Sequence, residues 1–191
     1  MYYILSNEIA DEEKDAELSG DVNLEEVGDS LCFNDGVSIK AQVPKIIYTM
    51  NDDSRKGRMT DHLSLDEVYG LVFSSRLREL LRELKIEKIQ YFDLDIINPK
   101  TNDIYTDYKI ANVLGLVDCV DKDRSELTYY DSGTIEFIDK LILDESRIPP
   151  LAKIFRLSND VTLPIVHQSV KAAIANAGIT GCVFYKVEDY H

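Results

Sequence analysis

Two segments of the chain share one pattern, and this likeness limits the available folds more than any other feature. Val72 to Leu94 reads VFSSRLRELLRELKIEKIQYFDL, and Ile165 to Val187 reads IVHQSVKAAIANAGITGCVFYKV. Apolar residues recur at i, i+3, i+4 and i+7 in both, which predicts one buried helical face in each. Those residues are Leu77, Leu80, Leu81 and Leu84 in the first segment, and Val170, Ala173, Ile174 and Ala177 in the second. Each segment therefore predicts an apolar entry, a helix and a strand.

The ends of the two helices carry matching signals. Ser74 or Ser75 suits the first N-cap, because a hydroxyl accepts from the unpaired N–H groups of the first turn. His167 occupies the place of Ser74 in the second segment. Gly178 suits a left-handed residue after the second helix, and Lys85 takes that place after the first.

Most of the remaining chain predicts strands, so the expected fold class is α+β: a twisted, mostly antiparallel sheet with a few helices. Two similar helix-strand units would pack on a common sheet, in an arrangement that suggests a pseudo-twofold axis. Chance likeness of two amphipathic units remains the alternative. Residues 51–64, NDDSRKGRMTDHLS, are polar and predict an exposed loop. The length of 191 residues fits one domain, residues 1–191.

Charge separates the chain into two parts. The net charge is −14, and residues 1–36 hold eleven acidic residues against one lysine. Such a surface repels nucleic acid and anionic membranes and attracts a basic partner. An acidic run of this kind is also typical of a solvated loop. No apolar run is long enough to span a membrane, and the start lacks the features of a secretory signal. Three widely spaced cysteines favour reduced thiols and a cytoplasmic location.

Few residues suggest chemistry. Asp93 and Asp95 alternate on one strand and could hold a cation or act as an acid–base pair, but exposed structural carboxylates explain them better. His167 fits a helix cap better than a catalytic base. Arg156 lies among apolar residues and predicts a structural ion pair, with Asp139 or Glu136 as its partner. No metal site and no cofactor are expected.

Five short motifs appear in an order that resembles a known family. They are Val72 to Leu81, Asn112 to Asp118, Asp121 to Ser125, Phe155 to Leu157, and Gly178 to Phe184. Together they span a core of residues 71–187, after the acidic segment 1–36. The arrangement is similar to a family of bacterial polymorphic-toxin immunity proteins, the eleventh to be numbered and formerly a domain of unknown function.

The resemblance implies a cytoplasmic, non-enzymatic protein that binds and neutralises a cognate secreted toxin, often one delivered by type VI secretion. A basic nuclease is one class of toxin that the negative charge would suit. The expected toxin-binding residues are Asp11, Glu12, Glu13, Asp15, Glu17, Glu25 and Glu26, with Asp52 and Asp53 as a second patch. The alternatives are a small enzyme that uses Asp93, Asp95 and His167, or a regulatory binding module.

Overall fold

The computed structural model describes residues 1–7, 17–21, 32–50, 58–66 and 70–189. Within these ranges the helices are α1 (Ser75–Glu83) and α2 (Gln168–Asn176). The strands are β1 (Tyr2–Asn7), β2 (Glu17–Asp21), β3 (Ile46–Met50), β4 (His62–Asp66), β5 (Leu71–Phe73), β6 (Ile89–Ile97), β7 (Ile104–Tyr105), β8 (Lys109–Val113), β9 (Leu116–Val117), β10 (Glu126–Tyr129), β11 (Ile135–Lys140), β12 (Ile154–Leu157), β13 (Pro164–His167) and β14 (Cys182–Lys186).

The strands form three sheets. One has the order β3-β2-β4-β5-β8-β6-β7, and a further pairing between β3 and β6 closes it on itself. A second has the order β14-β1-β13-β12-β9, and β10 pairs with β11 alone. Among the described pairings, β2–β4, β3–β6 and β9–β12 are parallel and the rest antiparallel. The predicted α+β class is confirmed, but the expected common sheet is wrong because each unit has a sheet of its own.

The two helix-strand units agree residue by residue. A shift of 93 positions places α1 on α2, the start of β5 on that of β13, and the start of β6 on that of β14. Ser74 Oγ accepts from the Leu77 N–H at 3.1 Å, and the His167 ring accepts from the Ser169 N–H at 3.2 Å. Lys85 and Gly178 then have φ values of 57° and 61°. Both predicted caps are therefore confirmed.

The strands around each helix also follow one order. In the first unit the order is β4-β5-β8-β6, and in the second it is β12-β13-β1-β14. An antiparallel strand thus lies between the strand that enters the helix and the strand that leaves it. That central strand is β8 in the first unit and β1 in the second, so the second unit takes its centre from the start of the chain.

Both predicted helical faces pack into one apolar core. Leu77 and Leu81 of α1 are buried together with Val170 and Ile174 of α2, and side chains from both sheets complete the cluster. Burial of each such aliphatic side chain contributes about 1.5–3 kcal/mol of transfer free energy. Two further cores fill the closed seven-stranded sheet and the space behind the five-stranded sheet.

Asp61 lies buried where the two units meet. One carboxylate oxygen accepts from the Ser74 hydroxyl at 2.7 Å, and the other from Arg76 at 3.2 Å. The second oxygen also accepts from the Thr180 N–H at 2.9 Å and hydroxyl at 3.1 Å. The expectation of an exposed loop over 51–64 is wrong for residues 60–63, which are buried, while residues 51–57 lie outside the described residues. Buried polar groups need such partners, and here Ser74 and Thr180 supply them.

Neighbouring contacts keep this junction tight. Gly181 has a φ of 79°, and a Cβ built there would lie 2.1 Å from the His62 carbonyl oxygen, so only glycine fits. Arg76 also donates to the carbonyl oxygens of Ala177 and Gly178 at the end of α2. Lys153, which precedes β12, donates to the Leu84 carbonyl oxygen at 3.2 Å at the end of α1. A cation from each unit therefore caps the helix of the other, where the helix dipole favours positive charge.

We expect Asp61→Ala to lower the free energy of unfolding by about 2–4 kcal/mol, because Ser74 and Thr180 would lose their buried acceptor. Urea denaturation followed by circular dichroism measures this change. Asp93→Ala is the matched control, since it removes an exposed ion pair with Lys109 and should change stability little. Equal effects of the two substitutions would contradict the role of Asp61.

The burial of the His62 ring makes the stability of the fold depend on pH. Its ring packs edge-on against Phe73 with centroids 5.1 Å apart, and burial lowers the pKa of His62 to about 4, against a weaker opposing hydrogen bond with the Ser6 backbone. An unfolded histidine has a pKa near 6.5, so between pH 6.5 and 4 only the unfolded chain takes up this proton. Stability from this group is therefore complete above pH 6.5 and is lost as pH falls toward 4, by about 3 kcal/mol.

We expect His62→Phe to remove that component of the pH dependence. Carboxylates titrate alike in both proteins, so the difference between the two unfolding free energies isolates the histidine. The loss of stability between pH 7 and pH 4 should be smaller in the variant by about 3 kcal/mol. Urea titrations at pH 7, 6, 5 and 4 measure the free energy of unfolding of each protein. Parallel plots of this free energy against pH for the two proteins would contradict the role given to His62.

Candidate functional site

The acidic residues expected to bind a toxin lie outside the described residues, apart from the backbone of Glu17. Glu17 belongs to β2, but its side chain is outside the described part of the structure. The other eight lie outside the described residues altogether: Asp11, Glu12, Glu13, Asp15, Glu25, Glu26, Asp52 and Asp53. Their role therefore stays a prediction from sequence.

Asp93 and Asp95 lie on the outward side of β6, and a lysine engages each of them. Lys109 Nζ is 2.6 Å from an Asp93 carboxylate oxygen, and Lys45 Nζ is 2.7 Å from one of Asp95. The hydrogen bond from Lys109, together with its charge, lowers the pKa of Asp93. Each carboxylate is thus paired with a cation and has a structural role, although only Asp93 is exposed.

His167 is likewise engaged in a structural role. Its Nδ1 lies 2.8 Å from the Ser169 hydroxyl at the start of α2, and its ring packs edge-on against Tyr2 with centroids 5.1 Å apart. The strand that carries it belongs to the five-stranded sheet, whereas Asp93 and Asp95 belong to the seven-stranded one. These three side chains therefore have separate partners on separate sheets, and no observation favours the enzyme alternative.

Arg156 is fully buried, but its partners differ from those expected. Its guanidinium donates to the carbonyl oxygens of Val161 at 2.8 Å and Thr162 at 3.1 Å, and to the Asn34 side-chain oxygen at 2.8 Å. Burial lowers the pKa of Arg156 to about 10, against the opposing effect of nearby acidic groups. The expected pairing is corrected: Asp139 instead accepts from the Thr128 hydroxyl at 3.4 Å. Arg156 ties the loop before β13 to the segment around Asn34.

The described ranges contain neither a metal-binding cluster nor a membrane-spanning helix. In them, no three His, Cys, Asp or Glu side chains lie close enough together to hold a metal ion. No helix there is long and apolar enough to cross a bilayer. The cysteines are free thiols, and burial raises the pKa of the Cys119 thiol to about 11 and that of Cys182 to about 12. Thiols held in the protonated form are poor nucleophiles.

The β10–β11 hairpin presents the most unusual surface among the described residues. Its inner side is anchored, because Ile138 is buried and Leu127 and Ile135 pack on the same core. Large aromatic side chains nevertheless remain exposed on this hairpin: Tyr129 (44%), Tyr130 (54%) and Phe137 (58%). Exposed aromatic residues at a rigid position are typical of protein interfaces. The sequence predicted a strand here but did not indicate that its aromatic residues are exposed.

Hydrogen bonds fix both ends of this hairpin. At the tip, the Tyr130 N–H donates to the Thr134 carbonyl oxygen at 3.0 Å, and Gly133 turns the chain with a φ of 83°. At the base, the Ser125 hydroxyl donates to the Ile142 carbonyl oxygen at 3.1 Å and accepts from the Ile142 N–H at 2.9 Å. The aromatic side chains therefore project from a preorganised backbone.

An acidic groove runs beside the hairpin, between β11 and the loop after β12. It encloses about 380 Å³ and is lined by residues 135–138 and 158–161. Glu136 and Asp160 are the charged residues in its lining, and none of the described residues that line it is basic. A second groove of about 340 Å³ near Tyr2 holds both signs, because Arg124 and Lys186 accompany Glu145 and Glu188. Of these two grooves, the one beside the hairpin therefore has the more negative lining.

Comparison with known proteins identifies the family. A family model described as "Immunity protein family (Imm11)" matches residues 8–189, nearly the whole chain. No curated protein sequence matches the chain. Membership of this family indicates an immunity function against a toxin, and such proteins generally act by binding rather than by catalysis. The chain belongs to the Imm11 immunity protein family.

Proposed function

We propose that this chain is the cytoplasmic inhibitor of one cognate antibacterial toxin, delivered by type VI secretion, and that it acts by stoichiometric occlusion of the toxin's working cleft. The observation that carries this proposal is the match of the immunity family model over residues 8–189. An inhibitor of this kind needs a stable scaffold and a complementary surface, and it needs no reaction of its own.

The charge of the chain supports a basic partner. A net charge of −14 repels nucleic acid, so the chain would not bind the substrate of a nuclease toxin. It would bind the toxin itself. The basic groove with which a nuclease holds phosphate would attract the acidic segment of residues 1–36. This complementarity favours a nuclease among toxin classes.

The proposal predicts that the cognate toxin is encoded beside the chain's gene, and this toxin domain is the partner used in the test. Co-expression of the chain should restore growth of cells that produce this toxin. The purified chain and a catalytically inactive toxin variant should form a 1:1 complex by light scattering. Growth arrest despite co-expression, or the lack of a complex, would refute the proposal. If the chain restores growth without forming a complex and the toxin is chemically altered, the mechanism is catalysis and not occlusion.

The acidic segment should speed association. We expect Asp11→Lys, Glu12→Lys and Glu13→Lys together to lower the association rate constant about tenfold at low ionic strength, with a smaller effect at high salt. Adding Asp52→Lys and Asp53→Lys should slow association further. Stopped-flow mixing with the inactive toxin variant measures these rates.

The matched control reverses the same number of charges elsewhere. Glu79→Lys, Glu83→Lys and Glu87→Lys change the net charge by the same amount on the exposed side of α1 and in the turn after it. If the position of the charges matters beyond the net charge, the association rate constant will fall more in the first variant than in this control. Equal rates for both variants would contradict a role of the acidic segment in steering.

A further inference from the structure

The geometry points to the exposed aromatic residues of the β10–β11 hairpin as the surface that grips a cationic face of the toxin. These are Tyr129, Tyr130 and Phe137, named here the hairpin face. Phe137 lies on the outward side, whereas Tyr129 lies opposite Ile135 where β10 leads into the turn and stays 44% exposed there. The inference rests on the proposed function, because the toxin is the partner to which the hairpin face is assigned. It differs from the steering role of the acidic segment, since it concerns contact and not approach.

The hairpin packs its own inward residues on the core. Its exposed aromatic residues are therefore additional to that packed set. Leu127 and Ile138 lie opposite each other and face inward, whereas Thr128 and Phe137 form the next pair and face outward. A register shift between Thr128 and Tyr129 then leaves Glu136 without a direct partner across the hairpin. This exposed, bulged residue also lines the groove beside the hairpin.

The charges around the hairpin face define the chemistry of its partner. The hairpin that bears the three rings also bears four exposed acidic residues: Glu126, Asp131, Glu136 and Asp139. Lys140 is the one basic residue of residues 126–140, and its Nζ lies 4.0 Å from Glu126. Arginine and lysine side chains are the groups that suit both features, since they stack on aromatic rings and pair with carboxylates. The adjoining groove, with Glu136 and Asp160 in its lining, extends the same preference.

A second copy of the chain is a poor occupant for this surface. Two copies would each bring a net charge of −14 and would place carboxylates against carboxylates. A nucleic acid or an anionic membrane meets the same repulsion. A protein surface rich in arginine or lysine is therefore the partner that the hairpin face fits.

The rigid tip gives the hairpin face an energetic advantage. Aromatic anchors lose little conformational freedom on binding when the backbone that carries them is already ordered. The hydrogen bond between Tyr130 and Thr134 and that between the Gly133 N–H and the Tyr130 carbonyl oxygen provide this order. Few residues dominate a typical interface, and buried tyrosines are frequent among them.

The test uses the full-length chain with the inactive toxin domain encoded beside its gene. We expect Tyr129→Ser, Tyr130→Ser and Phe137→Ser together to raise the Kd by about 100-fold, mainly through faster dissociation, and to abolish protection in co-expression. The control replaces three exposed apolar residues elsewhere, Val37→Ser, Ile104→Ser and Leu151→Ser, and should bind like the wild type. Circular dichroism and thermal unfolding establish that both variants are folded.

A second measurement works without any substitution. Hydrogen–deuterium exchange of the wild-type complex should show slower exchange over residues 126–140 than in the free chain. Wild-type binding with unchanged exchange there, or undiminished binding by the hairpin variant, would overturn this inference and leave the proposed function intact. A wild-type chain that does not bind the toxin would refute the proposed function itself. Self-association of the free chain that the hairpin variant abolishes would assign the face to a second copy and overturn the inference.

Discussion

The buried carboxylate of Asp61 holds the two helix-strand units in one relative position. A buried charge is tolerated only when donors replace its lost hydration, and four donors from Ser74, Arg76 and Thr180 do so here. Sliding of one unit against the other would separate Thr180 from the carboxylate, which would then lose two of its four donors. The contact of Gly181 with the His62 backbone forbids the same movement by steric exclusion. Polar and steric constraints therefore select a single docking geometry.

Docking of the units fixes the sheets as well as the helices. The first strand, β1, completes the second unit by pairing with both β13 and β14, so the two termini of the described chain meet in one sheet. Arg76 caps α2 and Lys153 caps α1, so each helix end depends on a side chain from the other unit. The β10–β11 hairpin takes part in neither unit, and it packs on the core through its inner side alone. Substitution of its outward residues is thus separable from the stability of the scaffold.

The sequence predicted local features well because short-range physics determines them. The leucine stripe of α1, the Ser74 and His167 caps and the left-handed Lys85 and Gly178 all depend on neighbours within one helical turn, and all were predicted. Burial of residues 60–63 was missed, since polar composition suggests exposure unless the distant Thr180 is known to provide a partner. The separate sheets were missed for the same reason, because β1 pairs with strands more than 150 residues away. The hairpin face was missed because outward aromatic residues give the same alternation as inward ones.

Under the proposed function, the acidic segment and the hairpin face would act over different ranges. Electrostatic attraction between exposed charges extends about 8 Å at physiological ionic strength, so a dense acidic segment influences a basic partner before contact. Aromatic packing and the pairing of desolvated charges need direct contact, and they therefore govern how long a complex lasts. In the first 36 residues the charge is dense, whereas the hairpin joins fewer carboxylates to three exposed rings. Under the proposed function, a protein that must find one toxin quickly and then hold it gains from placing these two tasks on separate segments of its chain.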